Sequence, residues 1–450
     1  MSRNFFGTDG VRGTANTFPM TPDVALKLGA AAGRHFRRDS EEHRVVIGKD
    51  TRRSGYMFEN ALTAGLTSTG MNVFLLGPIP TPAVGFLTKS MRADLGVMIS
   101  ASHNHYNDNG IKFFGPDGFK LSDESEFEIE KIMESGFDFA DAKNIGRARR
   151  VDDGLGRYVE HAKATYKFNG RSLKGLKIVI DCANGAAYKV APQVLFELGA
   201  EVIPIGVAPN GYNINNACGS TSPEVAAQTV IDQSADLGIC LDGDADRLLI
   251  IDEKGNLAHG DHLLGVFAKE LKFNQKLSKD TLVATSMSNL GLEIFLSSQD
   301  INLVRTGVGD RYVVEKMLSD GFNLGGEQSG HIIMSEFSTT GDGLVAALQF
   351  ISAMQRNDCN ASKLLDLYDL YPQLLRNITI NGKADPLQDE HVIKLIKAKE
   401  DLFKGNGRLV IRKSGTEPLI RVMGEHEDQN ILQDTIGEIV DEIERAILWT

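Results

Sequence analysis

Along the first 340 residues, short apolar runs that close on glycine alternate with longer stretches whose apolar positions recur at helical spacing, and one plan occurs three times. The first copy predicts a strand at 44–48, a helix over 56–69 and a strand at 72–77. The second predicts a strand at 176–181, a helix over 187–198 and a strand at 201–206; the third, a strand at 281–285, a helix over 290–297 and a strand at 302–307. Each copy then adds one more strand that runs into a polar loop: the loop at Ser102, the aspartate run at 242–246, and the segment 325–331. Strands alternating with helices at this spacing argue for parallel or mixed sheets covered by helices on both faces. Ligands in open α/β sheets bind beyond the carboxyl ends of strands, so three such loops are expected to meet in one cleft.

The last eighty residues break this rhythm. A strand at 376–380, a helix over 391–403, paired strands at 408–411 and 419–423 and a helix over 430–448 predict an α+β module with antiparallel strands. The expected fold class is therefore α/β: three similar mixed-sheet α/β domains, then a smaller α+β C-terminal domain, around a central cleft. The boundaries expected are 1–150 with the serine loop, 151–255 with the metal loop, 256–370 with a sugar-recognition loop and 371–450 with a phosphate loop. Length agrees, because 450 residues exceed what one core organises and suggest about three or four domains.

Composition narrows the partners more than the fold. A formal net charge of −12 disfavours nucleic acid, whose backbone is bound by clustered cations in excess, yet a local Arg/Lys cluster can still draw a small anion into a cleft. The four cysteines, Cys182, Cys218, Cys240 and Cys359, show no paired spacing, which fits a reducing cytoplasm. No apolar segment of signal-peptide type opens the chain, and no apolar run approaches the roughly eighteen residues of a membrane span.

The chemistry concentrates in the polar loops. Asp242, Asp244 and Asp246 fall on alternate residues directly after an apolar run and directly before Arg247. In an extended stretch these carboxylates would share a face, and only a cation makes that crowding tolerable. Oxygen ligands alone point to Mg²⁺ in preference to Ca²⁺, Mn²⁺ or zinc. A calcium EF-hand loop also begins D-x-D-x-D, and Glu253 falls at its twelfth position, but Arg247 occupies the sixth, where that loop needs glycine.

The loop 99–112 has the same frame. Ala-Asp-Leu-Gly at 93–96 recurs at 235–238, and Ser102 and Asp244 lie at the same offset from the shared glycine. No hydrolase triad order and no G-x-S-x-G elbow surrounds Ser102, so a serine at a strand end facing a metal is better suited to carrying a phosphoryl group. Between the late paired strands, the run Arg412-Lys-Ser-Gly-Thr-Glu-Pro418 joins cations, hydroxyls and a glycine in a loop suited to a phosphate.

With these loops in order, the sequence resembles the α-D-phosphohexomutases over essentially its whole length, from Phe6-Gly-Thr-Asp-Gly-Val-Arg-Gly13 to Arg412-Lys-Ser-Gly-Thr-Glu-Pro-Leu-Ile-Arg421. The opening motif and Gly325-Gly-Glu-Gln-Ser-Gly-His331 favour the glucosamine branch, because relatives acting on mannose or glucose phosphates typically carry methionine where this chain has Gln328. The resemblance implies an isomerase that interconverts glucosamine 6-phosphate and glucosamine 1-phosphate, on the route to UDP-N-acetylglucosamine and cell-wall precursors. It implies one Mg²⁺ per chain and glucosamine 1,6-bisphosphate as intermediate and activator. Ser102 would be a phosphoserine, and an oxygen of its phosphate would join Asp242, Asp244 and Asp246 around the metal. Arg247 would stabilise the transferring oxygens, and Lys112 and His331 are candidates to move the proton. Glu327, Ser329, Gly309 and Asp310 would meet the sugar, while Arg412, Ser414, Gly415, Thr416 and Arg421 would clamp the idle phosphate. Thr8, Arg12, Asp50 and Arg52 would support the cleft, with Thr8, Arg12 and Arg52 counted among the substrate-binding residues.

The expected partner is a hexosamine phosphate, with no nucleic acid or membrane, and the chain is expected to act as a cytoplasmic monomer or homodimer. One departure is visible: the family's serine loop usually reads Ser-His-Asn-Pro, whereas His105 follows Asn104 here, which removes a residue that would stiffen the turn. Other readings are a sibling phosphomannomutase or phosphoglucomutase, a metal-dependent phosphatase, and a catalytically silent sugar-phosphate sensor.

Overall fold

Three sheets repeat one strand order. In the first, His43–Lys49 lies between Met71–Pro78 and Leu95–Ile99, both parallel to it, and Asp108–Phe114 pairs antiparallel with Leu95–Ile99. In the second, Lys177–Asp181 lies between Glu201–Ile205 and Leu237–Leu241, and Leu248–Ile251 adds the antiparallel edge. The third places Thr281–Thr285 between Asn302–Thr306 and Leu324–Gly326, with Ile332–Met334 antiparallel. The first sheet carries two extra strands, Val11–Thr14 and Ala148–Arg150. The computed structural model describes residues 4–7, 9–37, 42–168, 170, 172–380, 385–413 and 419–449.

The repeated Ala-Asp-Leu-Gly now has a physical reason. Asp94 accepts the Arg44 backbone N–H (2.8 Å) and donates its own N–H to the Arg44 carbonyl (2.8 Å), pinning the start of Leu95–Ile99 to the central strand. Asp236 does the same at Lys177, at 2.7 and 2.9 Å, for Leu237–Leu241. Every residue of these two strands is buried, as expected of parallel strands covered on both faces. Each strand therefore leaves its sheet in the same register, and the two loops that follow, at Ser102 and at Asp244, arrive on the same side of neighbouring sheets. The helix expected over 187–198 forms later, over Val190–Glu197. Ala183 and Asn184 first adopt left-handed backbone (φ 54° and 48°), which delivers the Asn184 N–H to the Gly206 carbonyl at 2.7 Å.

The chain length suggested a separate core for each domain, but one buried apolar cluster runs through the first three sheets, from Val46 and Phe114 through Ile180 and Leu241 to Leu264, Ile332 and Phe350. The helix Gly343–Arg356 makes this possible, because it is buried nearly all round and packs on Leu248–Ile251 and on the helix Gly154–Thr165. At its N-terminus the Asp342 side chain accepts the Val345 N–H, and Tyr158 donates its hydroxyl to both oxygens of that carboxylate at 2.8 and 2.7 Å.

The C-terminal module is a three-stranded antiparallel sheet with Leu419–His426 between Gln373–Thr379 and Gly407–Lys413. Helices Glu390–Phe403 and Gln429–Trp449 cover it around its own cluster of Ile378, Val392, Phe403, Val422, Ile436 and Ile439. Among the described residues, no helix is long and apolar enough to cross a membrane.

Candidate active site

The serine loop is held from behind by two side chains of distant origin. Asn215 donates through Nδ2 to the carbonyls of Ser102 (2.8 Å) and Asn104 (3.0 Å), and Arg52 donates through Nη2 to the same two carbonyls at 3.2 and 2.5 Å. These bonds offset a strained backbone, because Ser102 sits in the left-handed region at φ 49°. Gly243 permits the close approach of the second domain, since a Cβ there would lie 2.5 Å from the Ser102 carbonyl oxygen. Arg52, expected among the substrate-binding residues, is fully buried, ion-paired with the equally buried Asp50 and directed at loop carbonyls. It supports the loop and does not reach the cleft. His105 is exposed, and the stiffness that a proline would have supplied at its position comes from Arg52 and Asn215.

Ser102 Oγ donates to Asp242 Oδ2 at 2.6 Å, joining the serine loop to the aspartates. Alternation along a strand was the expected means of gathering those aspartates, but it is not the one used. Four residues of extended chain span about 13 Å, whereas one oxygen from each of Asp242, Asp244 and Asp246 lies within 4.8 Å of the others. The chain turns instead, with Ala245 at φ 60°. All three carboxylates are buried, and among the described residues Asp244 Oδ1 and Asp246 Oδ1 accept no hydrogen bond. Burial, with Asp246 and Asp244 alongside, pushes the Asp242 carboxyl well above the usual range. Three buried carboxylates, two of them with an unmatched oxygen, and no sulfur or imidazole in the set fit a hard divalent cation.

Positive charge surrounds this turn. Lys112 Nζ lies 3.0 Å from Asp244, 3.1 Å from Asp9 and 3.7 Å from Asp246, and these carboxylates hold its pKa up against its burial. Thr81 donates to the same Asp244 oxygen at 2.6 Å. Arg247 donates its backbone N–H to Asp242 at 3.2 Å. The His331 ring stands between Asp246 (3.6 Å) and Asp310 (3.5 Å), and despite burial these raise its pKa. Gly341 N–H donates to His331 Nε2 at 3.1 Å, which leaves Nδ1 facing Asp246. His103 Nδ1 lies 3.3 Å from Ser102 Oγ, and burial, with Arg247 and Arg12 nearby, lowers that imidazole to about 4.

A cavity of about 620 Å³ opens over these groups and receives side chains from all four sheets. Ser102, Asp246, Arg247 and His331 form its floor, with Arg12 and Asp9 beside them. Gly309, Asp310, Glu327 and Ser329 line one wall, and Arg412 and Arg421 overhang it from the C-terminal sheet. Glu327 accepts the Gly309 N–H at 3.1 Å, and burial raises its pKa. Of the residues singled out from sequence, Lys112 lies behind the floor and not on it, and Thr8, Ser414, Gly415 and Thr416 fall outside the described residues. Sequence reasoning missed Thr81, Asn215 and Lys120, the last of which bridges Asp9 to Asp310.

Four family models match the chain in order. They are phosphoglucomutase/phosphomannomutase alpha/beta/alpha domain I over residues 3–138, domain II over 156–255, domain III over 259–371 and the C-terminal domain over 375–442. The chain is 61% identical over 447 residues to the phosphoglucosamine mutase of Paracoccus denitrificans, covering 99% of this chain and 100% of that protein. It is 62% identical over 447 residues to the phosphoglucosamine mutase of Dinoroseobacter shibae, with the same coverage of 99% and 100%. In fold it is similar to the crystal structure of a phosphoglucomutase/phosphomannomutase family protein from Burkholderia thailandensis, at a TM-score of 0.81 and 23% identity over 98% of this chain and 96% of that one.

Proposed function

The chain belongs to the phosphoglucomutase/phosphomannomutase family, and from that premise we propose that it is an isomerase interconverting glucosamine 6-phosphate and glucosamine 1-phosphate in the cytoplasm. The product would feed UDP-N-acetylglucosamine synthesis. Full-length identity above 60% to relatives named for this activity supports the choice of sugar. The observation that carries the chemistry is the position of Ser102 Oγ, 2.6 Å from an aspartate of the buried triad and at the floor of the cavity.

In this reading Ser102 carries a phosphoryl group, and Asp242, Asp244 and Asp246 would hold Mg²⁺ beside it. When bound, the metal supplies charge neutralisation to the phosphoryl oxygens, the main requirement of a loose phosphoryl-transfer transition state. The Ser102 Oγ–P bond breaks as the free sugar hydroxyl attacks, giving glucosamine 1,6-bisphosphate; the other phosphate then returns to Ser102. Arg247 stabilises the transferring oxygens from the floor. Proton transfer falls to His331, whose ring lines the cavity, while Lys112, held cationic by Asp244 and Asp9, adds fixed charge behind the triad. Glu327, Ser329, Gly309 and Asp310 face the sugar, and Arg12 supports the cleft. Arg412 and Arg421, with Ser414, Gly415 and Thr416, grip the phosphate not in transfer.

A coupled assay with Mg²⁺ over glucosamine, glucose and mannose 6-phosphates tests the reading. Preference for glucosamine 6-phosphate is expected. A preference for mannose or glucose phosphate, or net release of inorganic phosphate, would overturn it.

A further inference from the structure

The C-terminal sheet presents two functional pairs on one face of one ladder. Arg408 stands opposite Glu425, and Arg412 stands opposite Arg421, in the pairing of Gly407–Lys413 with Leu419–His426. Positions 408 and 412, like 425 and 421, differ by four residues, so all four side chains share a face and the two pairs lie about 14 Å apart. Opposed arginines repel one another on a ladder, and burial with Arg421 alongside lowers the Arg412 pKa. That end is built to receive an anion.

The other end is built to hold the third domain. Glu425 is completely buried and accepts three donors: Arg408 Nε at 2.5 Å, Gln373 Nε2 at 2.6 Å and the Leu290 backbone N–H at 3.1 Å. Leu290 opens the helix Leu290–Ser298 of the third domain. Arg408 continues across the boundary, donating to the carbonyls of Ser286 (2.9 Å) and Ser288 (2.5 Å). The Ser288 carbonyl also receives Arg305 at 2.7 Å. Two guanidinium groups converging on one carbonyl need compensating charge, which Glu425 supplies at Arg408 and Glu293 supplies at Arg305, 2.8 Å away. The same segment contributes Thr285, Ser286 and Met287 to the cavity wall.

We infer that Arg408 and Glu425 are positioning residues that lock the C-terminal sheet to the 286–290 segment, and that this lock sets the height of Arg412 and Arg421 over the cavity. The strand pair acts as a rigid arm, fixed at one end and gripping at the other. Losing the lock lets the arm swing while the floor around Ser102 stays intact. Binding of a sugar phosphate weakens in ground and transition states alike, so KM rises more than kcat falls. The kinetic part of this inference rests on the mutase reading; the mechanical part does not.

The test uses the full chain with Mg²⁺ and three variants, Arg408→Ala, Arg408→Lys and Glu425→Gln. Three charge-assisted bonds, two of them across the boundary, are removed in Arg408→Ala, and KM for both glucosamine phosphates is expected to rise about tenfold or more. Hydrogen exchange at the Leu290 amide should quicken in parallel, and Arg408→Lys, which folds with a cation in place, should recover part of both effects. Unchanged Mg²⁺ half-saturation is expected, because the triad is untouched. Wild-type KM together with wild-type Leu290 exchange in Arg408→Ala and Glu425→Gln would overturn the lock, as would loss of kcat alone. A wild-type protein that turns over no hexosamine phosphate would count against the mutase reading, and Leu290 exchange would still decide the lock.

Discussion

Replacing Asn215 with alanine tests how the serine is held. Ser102 pays for its φ of 49° with left-handed strain of about 1–2 kcal/mol. Against that stand four hydrogen bonds to the Ser102 and Asn104 carbonyls, two from Asn215 and two from Arg52. Each is worth about 0.5–1.5 kcal/mol net, so the Asn215 pair contributes about 1–3 kcal/mol, the same size as the strain it opposes. In Asn215→Ala the arginine alone no longer covers both strain and orientation, and the loop relaxes away from the aspartates for part of the time. Loss of that placement should slow phosphoryl transfer about 5- to 150-fold. Rapid-quench measurement of a single transfer from phosphorylated Ser102 to glucosamine 6-phosphate reads this step directly. Mg²⁺ half-saturation of the unphosphorylated protein should move little, because Asn215 bonds the loop and not the triad. A single-transfer rate equal to the wild type's would refute the argument that these bonds hold the nucleophile in place.

Three further outcomes are expected. Asp244→Asn removes an anionic oxygen from a set of three, so the Mg²⁺ dependence of activity should shift to higher concentration and turnover should fall by orders of magnitude; an unshifted titration contradicts the metal assignment. Glu327→Ala should cost about 1–3 kcal/mol of discrimination between glucosamine and glucose phosphates, and an equal loss for both sugars would show that Glu327 only shapes the wall through Gly309. Burial raises Asp342 to about 6, so this carboxyl contributes stability that is complete below about pH 4 and is lost as pH rises through about 6. Asp342→Asn keeps the cap and should flatten that part of the melting-temperature profile, a difference worth up to about 3 kcal/mol at neutral pH; parallel profiles for the two proteins would remove Asp342 as the cause.

The threefold plan is legible in the sequence because periodicity is a property of each element, and the recurrence of Ala-Asp-Leu-Gly marks equivalent strands. The aspartates were legible as a cluster but not as a turn: spacing gives the identity of ligands, while Ala245 decides how the chain brings them together. Asn215 and Thr81 escaped because their partners, Ser102 and Asp244, are 113 and 163 residues away, and nothing local distinguishes them from ordinary loop and helix-cap residues. For Arg52 the resemblance implies a cleft-supporting residue counted among those that bind substrate; burial, which composition does not reveal, turns its side chain to the loop carbonyls. The continuous core across three sheets was also hidden, because it depends on the helix Gly343–Arg356, which lies outside the threefold plan and is buried nearly all round by elements distant in sequence.

The central claim is that Ser102 hands its phosphoryl group to a sugar and takes one back. Protein carrying ³²P on Ser102, mixed with Mg²⁺ and unlabelled glucosamine 6-phosphate, measures this directly, with the label followed by chromatography and peptide mapping. The account predicts that label leaves Ser102 for glucosamine 1,6-bisphosphate and the two monophosphates, that the serine is re-phosphorylated by unlabelled phosphate, and that Ser102→Ala neither accepts label nor turns over. Label that moves to inorganic phosphate, stays on the protein during turnover, or maps to another residue would contradict it.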